Sequence, residues 1–488
     1  MASIRGDEAT SLSLWQQISR RKPVGAMTDE TGTDTGEGEL ARSIGLFQLS
    51  LFGIGATIGT GIFIVLTVAV PEAGPAVIWS FVLAGVVAGL TAICYAELAS
   101  AVPVSGSSYS YAYATLGEGI AMVVAACLLL EYGVSAAAVA VGWSQYLNEL
   151  LDNLFGFTIP ESLSNAPEAD GVVNLPAILL VLLCTMLLIR GASESAKVNA
   201  VMVLIKIGVL VLFIAVGLSG WNSDNLSDFA PFGVAGVTSA AGIIFFSYIG
   251  LDAVSTAGEE VKNPRRNLPL AILIALVTVT SIYVLVAVVA VAAQPRDAFE
   301  GQEAGLSAIL ESVTGSSWPA SVLAAGAVVS IFSVTLVVIY GQTRILFAMG
   351  RDGMVPPLFH RLNPRTLTPV PATVIVAVIV SLLAGLLPIN FLAEMTSIGT
   401  LVAFLIVSIG VMVLRQRQPD LPRGFKVPLY PIVPIASIGG CIWIISDLRA
   451  VTIYVFFGWS AVALLWYFFY GRHHATLGKT APAQESTS

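Results

Sequence analysis

Charge is what this sequence has least of. Asp, Glu, Lys and Arg make up 11% of its 488 residues, against about 25% in an ordinary soluble domain. That shortage excludes a water-solvated globular enzyme of this size. Aromatic residues stand at 9%, and no succession of alternating ten-residue segments is present, which excludes an outer-membrane barrel. Four cysteines, Cys94, Cys127, Cys184 and Cys441, lie isolated in apolar stretches. They form no CxxC pair and no metal-ligand spacing, so each reads as a small buried hydrophobe. Three histidines, two of them adjacent as His473 and His474, leave metal or haem chemistry without ligands. No cofactor and no metal are expected.

What the sequence has is apolar length: 56% of residues are hydrophobic and the mean hydropathy is +0.85. That surplus has to face lipid, and the predicted class is an all-α polytopic membrane protein. A window of about 19 residues predicts twelve transmembrane helices, at 46–70, 76–101, 119–147, 173–190, 198–219, 236–258, 268–293, 318–348, 370–387, 391–414, 429–447 and 451–470. An even count puts both termini on one side. Of the 23 Lys and Arg residues, twenty fall in the two tails and in alternate loops, among them Lys262, Arg265, Arg266, Arg351, Arg361, Arg365, Arg415, Arg417, Arg423 and Lys426. Arg296 and Arg449 lie on the other side, in company with Glu149, Asp152, Glu161, Glu168, Asp170, Asp224, Asp228, Asp297 and Glu300. By the positive-inside rule both termini are cytoplasmic. Residues 1–41 and 472–488 are polar, lack helical periodicity and read as disordered tails. The first tail has no signal-peptide pattern, and Met27 inside it would serve equally well as a start.

The remaining cation is Lys206, in the apolar run from Val201 to Phe213. An ammonium at membrane depth costs a few kcal/mol on insertion scales and reads as functional by default. Two spans carry a second anomaly. In the first, Gly53, Gly55, Gly59 and Gly61 stand within nine residues. Each weakens a helix by about 1 kcal/mol relative to Ala. Together they predict an unwound stretch, tolerable at mid-membrane only where freed backbone groups meet a ligand or cavity. Close helix packing is the competing reading, whereas a phosphate cradle fails because neither a P-loop Gly-Lys-Ser/Thr nor the GxGxxG spacing is present. In the sixth span Gly250 and Asp252 interrupt the apolar run, followed by Ser255 and Thr256. Two interrupted helices five spans apart suggest two inverted five-helix repeats with a binding site between them near the midplane.

The segments Gly55-Ala-Thr-Ile-Gly-Thr-Gly-Ile-Phe63, Phe246-Ser-Tyr-Ile-Gly-Leu-Asp-Ala-Val-Ser255 and Glu259-Glu-Val-Lys-Asn-Pro-Arg265 resemble the amino acid-polyamine-organocation superfamily. Leu130-Glu131-Tyr132, Lys206 and the run from Gln342 to Gly353 are similar to its cationic amino acid transporter branch. The resemblance spans residues 42–470. It implies a leucine-transporter-type 5+5 inverted repeat with helices 1 and 6 broken: a first repeat at 42–219, a second at 220–414, and helices 11 and 12 at 415–471. It also implies that the amides around Thr60 and Gly61 hold a substrate carboxylate. The carbonyls of Thr57, Phe246 and Ile249 would hold the α-amino group, with Ser247 in the same segment and Phe246 as an aromatic lid toward the outside. An unwound helix suits such a zwitterion, since its half-helix N-terminus favours an anion and its freed carbonyls favour an ammonium. Lys206, by the same resemblance, stands in for the cation of sodium-binding relatives and couples transport to protons. Its expected partner is the carbonyl side of the first break near Gly55.

Two readings of Glu131 stand open: it receives a cationic substrate side chain, or it bonds locally or carries protons. Asp252 is equally a gating group or a helix cap. Glu259, Glu260, Lys262, Arg265 and Arg266 form either cytoplasmic gate pairs or a solvated loop. The function expected is proton-coupled uptake of an α-amino acid, with cationic ones among the candidates. An exchanger and a neutral amino acid carrier are its alternatives, and a membrane amino acid sensor is the alternative outside transport. An enzyme is not expected, because the histidines lie at cytoplasmic ends and no convergent catalytic set shares one depth. The expected partners are the amino acid, protons and the bilayer of the plasma membrane, with no nucleic acid and no required protein partner.

Overall fold

A computed structural model describes residues 14–23, 44–102, 107–190, 196–256, 261–364, 366 and 368–476. Among these the chain is helical, and one parallel bridge, Ile44 to Val261, is its extended pairing. A short helix α1 (Leu14–Ile18) precedes the apolar core. Then follow α2 (Leu46–Thr57), α3 (Thr60–Ala73), α4 (Val77–Ala101), α5 (Ser107–Thr115), α6 (Glu118–Phe155), α7 (Leu175–Ile189), α8 (Ala196–Gly217) and α9 (Gly233–Ile244). The chain continues through α10 (Ala253–Thr256), α11 (Pro264–Ala293), α12 (Gly305–Thr314), α13 (Ser317–Arg351), α14 (Val370–Leu386), α15 (Ile389–Arg417), α16 (Ile432–Ser446) and α17 (Ala450–Trp466). Eight stretches of the described chain are long and apolar enough to cross a membrane, and α7, α14 and α16 are shorter apolar helices. The first stretch, Leu46–Ala101, turns at Gly74, whose φ of +65° a side chain would resist.

Local chemistry explains the ends of these helices. Gly156 and Gly315 close α6 and α12 in the left-handed conformation, the usual helix stop. The Asn174 side chain accepts a 3.0 Å bond from the Ala177 N–H at the start of α7, satisfying one orphan donor. Pro264 opens α11, where its missing N–H costs nothing.

The helices sort into two groups by what they touch. One holds α2, α3, α4, α9 and α11; the other holds α6, α7, α13 and α14. Helix α15 packs on α6, α4 and α16, while α8 packs on α2, α11 and α13. The two interrupted spans therefore sit in one group and face the other.

The polar N-terminal tail departs from its expected disorder. Residues 14–23 lie against α5, α6 and the ends of α13 and the last helix. Arg20 pairs with the buried Glu118 at 3.2 Å, which also accepts from the Tyr467 and Tyr113 hydroxyls at 2.9 and 3.3 Å. Lys22 pairs with Asp352 at 3.3 Å, and Tyr109 donates to the same carboxylate at 2.8 Å. Composition could not reveal this, because the segment folds on charges that other helices bury. Met27 lies outside the described residues, and a start there would delete both ion pairs.

Arg20→Ala leaves the Glu118 carboxylate buried without its cation, at a cost of about 3 kcal/mol. The expected outcome is a melting temperature lowered by several degrees in detergent. Arg20→Ala combined with Glu118→Gln should recover much of the loss, and thermal-shift measurement on the three proteins checks both.

Candidate functional site

The site grows from two short losses of helix. Helix α2 ends at Thr57; Ile58 (ψ 82°) and Gly59 (φ −107°, ψ −150°) leave helical geometry, and α3 resumes at Thr60. The glycine-rich run thus unwinds over two residues, a narrower gap than its four glycines predict. Gly53 and Gly55 stay helical. The first-turn N–H groups of α3 have no acceptor within their own helix. On the other side of the gap, the Thr57 carbonyl accepts from the Gly59 N–H at 2.8 Å.

In the sixth span α9 tightens into a 3-10 turn at Phe245–Tyr248, then extends at Ile249. Gly250 follows with φ +98°, and the helix resumes at Ala253. The two breaks pack directly against each other. A Cβ on Gly250 would stand 2.6 Å from the Ala56 carbonyl oxygen, and one on Gly61 would stand 2.7 Å from the Ser247 Cα. Both approaches require glycine. Tyr283 of α11 places its hydroxyl 3.0 Å from the carbonyl oxygens of Thr57 and Ser247, one from each break.

Between the breaks and the second helix group lies a cavity. Thr57, Gly59, Thr60 and Gly61 line it from the first break, and Phe246, Ile249 and Gly250 from the second. Tyr132, Ser135 and Val139 of α6 and Val334, Val337 and Val338 of α13 close it. Thr60 is anchored by its hydroxyl, which donates to the Val139 carbonyl at 3.2 Å.

Five of the residues expected at the site line this cavity: Thr57, Thr60, Gly61, Phe246 and Ile249. Ser247 lies against Gly61 behind the wall. Lys206, 1% exposed, donates from Nζ to the Gly55 carbonyl at 2.8 Å, the contact anticipated from the sequence. Asp252 accepts from the Ser107 hydroxyl at 3.2 Å and the Tyr132 hydroxyl at 3.1 Å. Ser255 donates to the Asp252 carbonyl at 2.7 Å, and the Tyr95 and Ser107 hydroxyls meet at 2.5 Å. Asp252 thus gathers α4, α5 and α6 onto the second break.

Glu131 is not among the lining residues. Successive helical positions differ by 100°, so Tyr132, Ser135 and Val139 make one stripe of α6 toward the cavity. Glu131 and Cys127, four apart, turn to α15, where Gly399 lies against the Cys127 carbonyl. Thr400 stands near Glu131 but gives its hydroxyl to the Thr396 carbonyl at 3.1 Å. Glu259 and Glu260 of the expected gate lie outside the described residues, and Lys262, Arg265 and Arg266 are exposed.

Several site residues carry no mark in the sequence reading: Ser135, Val139, the three valines of α13, and Tyr283. For Tyr283 a signal existed, because it closes a run of hydroxyls with Thr278, Thr280 and Ser281 inside an apolar span. Chemically, the arrangement offers amides and a half-helix N-terminus to an anion, carbonyls to an ammonium, and an apolar wall to whatever joins them.

A sequence profile described as "Amino acid permease" matches residues 44–481. The chain is 42% identical over 465 residues to a methylthioribose transporter of Bacillus subtilis (strain 168), covering 95% of this chain and 99% of that protein. It is 43% identical over 466 residues to the branched-chain amino acid permease BcaP of the same organism, with the same coverage. A vacuolar cationic amino acid transporter 4 of Arabidopsis thaliana is 39% identical over 392 residues, 79% of this chain and 65% of that protein.

The close approach of the two breaks gives a direct test. Gly61→Ala and Gly250→Ala each push a methyl group into backbone of the opposite break, and uptake into liposomes should fall about fivefold or more, as expected for overpacking of about 1–3 kcal/mol. Gly208→Ala, where a Cβ meets nothing within 4 Å, should leave uptake unchanged.

Proposed function

The chain belongs to the amino acid permease family, a family of multi-pass membrane transporters, and on that premise we propose that it is a secondary active carrier of a neutral, apolar α-amino acid, coupled to protons and working by alternating access. The observation that carries the choice of substrate is the cavity wall. Among the described residues no charged side chain lines it, and Val139, Val334, Val337 and Val338 of the facing helices give it an apolar wall. A branched aliphatic side chain gains from that surface about 25 cal/mol per Å² buried, whereas a cationic one would be desolvated there without a partner. The name of the branched-chain relative agrees with this choice. A sugar thioether such as methylthioribose has neither carboxylate nor ammonium to use the two breaks.

The amides of Thr60 and Gly61 receive the carboxylate. The carbonyls of Thr57, Phe246 and Ile249 receive the ammonium, and Phe246 acts as the lid toward the outside. The fold behind this is a twelve-span, leucine-transporter-type pair of inverted five-helix repeats at 42–219 and 220–414, followed by two further helices. Support comes from the packing groups: the first, second, third and fourth spans fall into the same groups as the sixth, seventh, eighth and ninth. Charge sidedness supports cytoplasmic termini in a plasma membrane.

For coupling, Lys206 is the titrating group. Protonated, its ammonium holds the Gly55 carbonyl and with it the carbonyl end of α2; on losing its proton it releases a hold that a neutral amine makes less strongly.

Reconstituted liposomes test the three parts of this reading. Leucine, isoleucine and valine should compete with labelled leucine, and arginine and lysine should not; the reverse order would return the substrate to the cationic class. An inward proton gradient should drive accumulation. In Lys206→Ala, leucine should still exchange across the membrane but no longer accumulate with the gradient, and accumulation that kept its full pH dependence would reject Lys206 as the coupling group.

A further inference from the structure

Tyr283 stands outside the cavity, yet it touches both of the carbonyl ends that the cavity depends on. Its ring is fully buried, wedged edge-on against Phe81 and Tyr248 at centroid distances of 6.1 and 5.6 Å. Tyr248 is itself fixed by donating to the Phe81 carbonyl at 3.0 Å. The phenol oxygen therefore has a set position, 3.0 Å from the Thr57 carbonyl oxygen and 3.0 Å from that of Ser247. A hydroxyl has one hydrogen to give. Of the two carbonyls, one at a time receives it fully.

The Thr57 carbonyl has a further claim on it. It already accepts from the Gly59 N–H at 2.8 Å, and a carbonyl has two lone pairs. With the Tyr283 hydrogen turned toward it, Thr57 has no lone pair left for a substrate ammonium. With that hydrogen turned toward Ser247, one lone pair is free.

We propose that Tyr283 is a positioning residue whose hydroxyl hydrogen passes from the Thr57 carbonyl to the Ser247 carbonyl when the substrate ammonium arrives. The proposal rests on the reading that Thr57 receives the ammonium. The movement is a rotation about the phenol C–O bond; no covalent bond forms or breaks and no proton leaves the oxygen. Binding at the first break thereby strengthens the tie to the second, and the two breaks respond to the substrate together although they belong to different spans.

Two replacements at position 283 pull in opposite directions. Tyr283→Phe removes the competitor at Thr57 and the donor at Ser247. L-leucine binding to the purified protein should be unchanged or tighter by up to about tenfold, while maximal uptake in liposomes falls about tenfold, the scale of one net hydrogen bond. A ring that is only structural would weaken binding and uptake together. Placing 4-aminophenylalanine at position 283 keeps the shape but supplies two N–H donors, so both carbonyls stay occupied, and leucine binding should weaken about threefold or more. Uptake by Tyr283→Phe at the wild-type rate, or binding weakened in that variant, overturns the proposal. If Tyr283→Phe does not fold, unchanged leucine affinity with 4-aminophenylalanine overturns it alone. Competition by 4-methylpentanoate, leucine without its ammonium, separates the two levels. If it matches leucine on the wild-type protein, the ammonium reading fails and takes this proposal with it. If the ammonium is required and the position-283 variants behave alike, only the proposal fails.

Discussion

A backbone N–H or C=O released from its helix inside a membrane has no water to turn to, and must find its partner in protein or ligand. Two helices of this bundle are broken at their centres, and the arrangement around them answers that constraint. The Gly55 carbonyl takes the Lys206 ammonium, Thr57 takes the Gly59 N–H, and the Tyr283 hydroxyl stands between Thr57 and Ser247. What remains is the first turn of α3 on one side and, on the other, the Ile249 carbonyl and the second lone pair of the Phe246 carbonyl, whose first takes the Ile249 N–H at 3.3 Å. An α-amino acid has the complementary groups at the complementary ends. The proposed binding site is thus the residue of a hydrogen-bond problem that the protein solves only in part, leaving the rest to a ligand.

The charges that do enter the bundle are handled by the same logic. Glu97, buried at the end of α4, meets Arg415 at 2.6 Å, Arg423 at 3.2 Å and the Val427 N–H at 2.6 Å. At the opposite end of α15, Glu394 pairs with Arg449 and accepts from Thr452 at 2.6 Å. Helix α15 is therefore fastened to α4 at one end by the buried Glu97 and to the last helices at the other by Glu394, whose cation Arg449 is exposed. Such pairs add little net stability over an apolar replacement, but breaking one by deleting a partner is costly.

Much of the candidate site was legible because its residues violate the rules of a membrane helix. Lys206 was visible as an ammonium in an apolar run, and the breaks as glycines and a carboxylate where a regular span has neither. The helix boundaries followed from hydropathy to within about four residues, except that α6 runs on to Phe155, eight residues past the expected end at 147. Orientation was not legible. Glu131 and Tyr132 are neighbours in sequence, and only the packing of α6 against both the cavity and α15 decides which of them faces the cavity. The docked segment around Arg20 and Lys22 was hidden for a related reason: its polar composition reads as disorder until Glu118 and Asp352, far along the chain, are seen to need counterions.

The sequence by itself determined that the chain is a bundle of membrane-crossing helices and where two of them cannot stay helical. Those properties depend on local composition against a solvent of fixed thickness and polarity, and a one-dimensional reading contains them. The tertiary structure alone decided that the unwound gap spans two residues, that an apolar wall of valines faces it, and that one tyrosine from a neighbouring helix serves both breaks. These are properties of which side chains meet across helices, and a rotation of 100° from one residue to the next is enough to exchange a carboxylate for a phenol at the site.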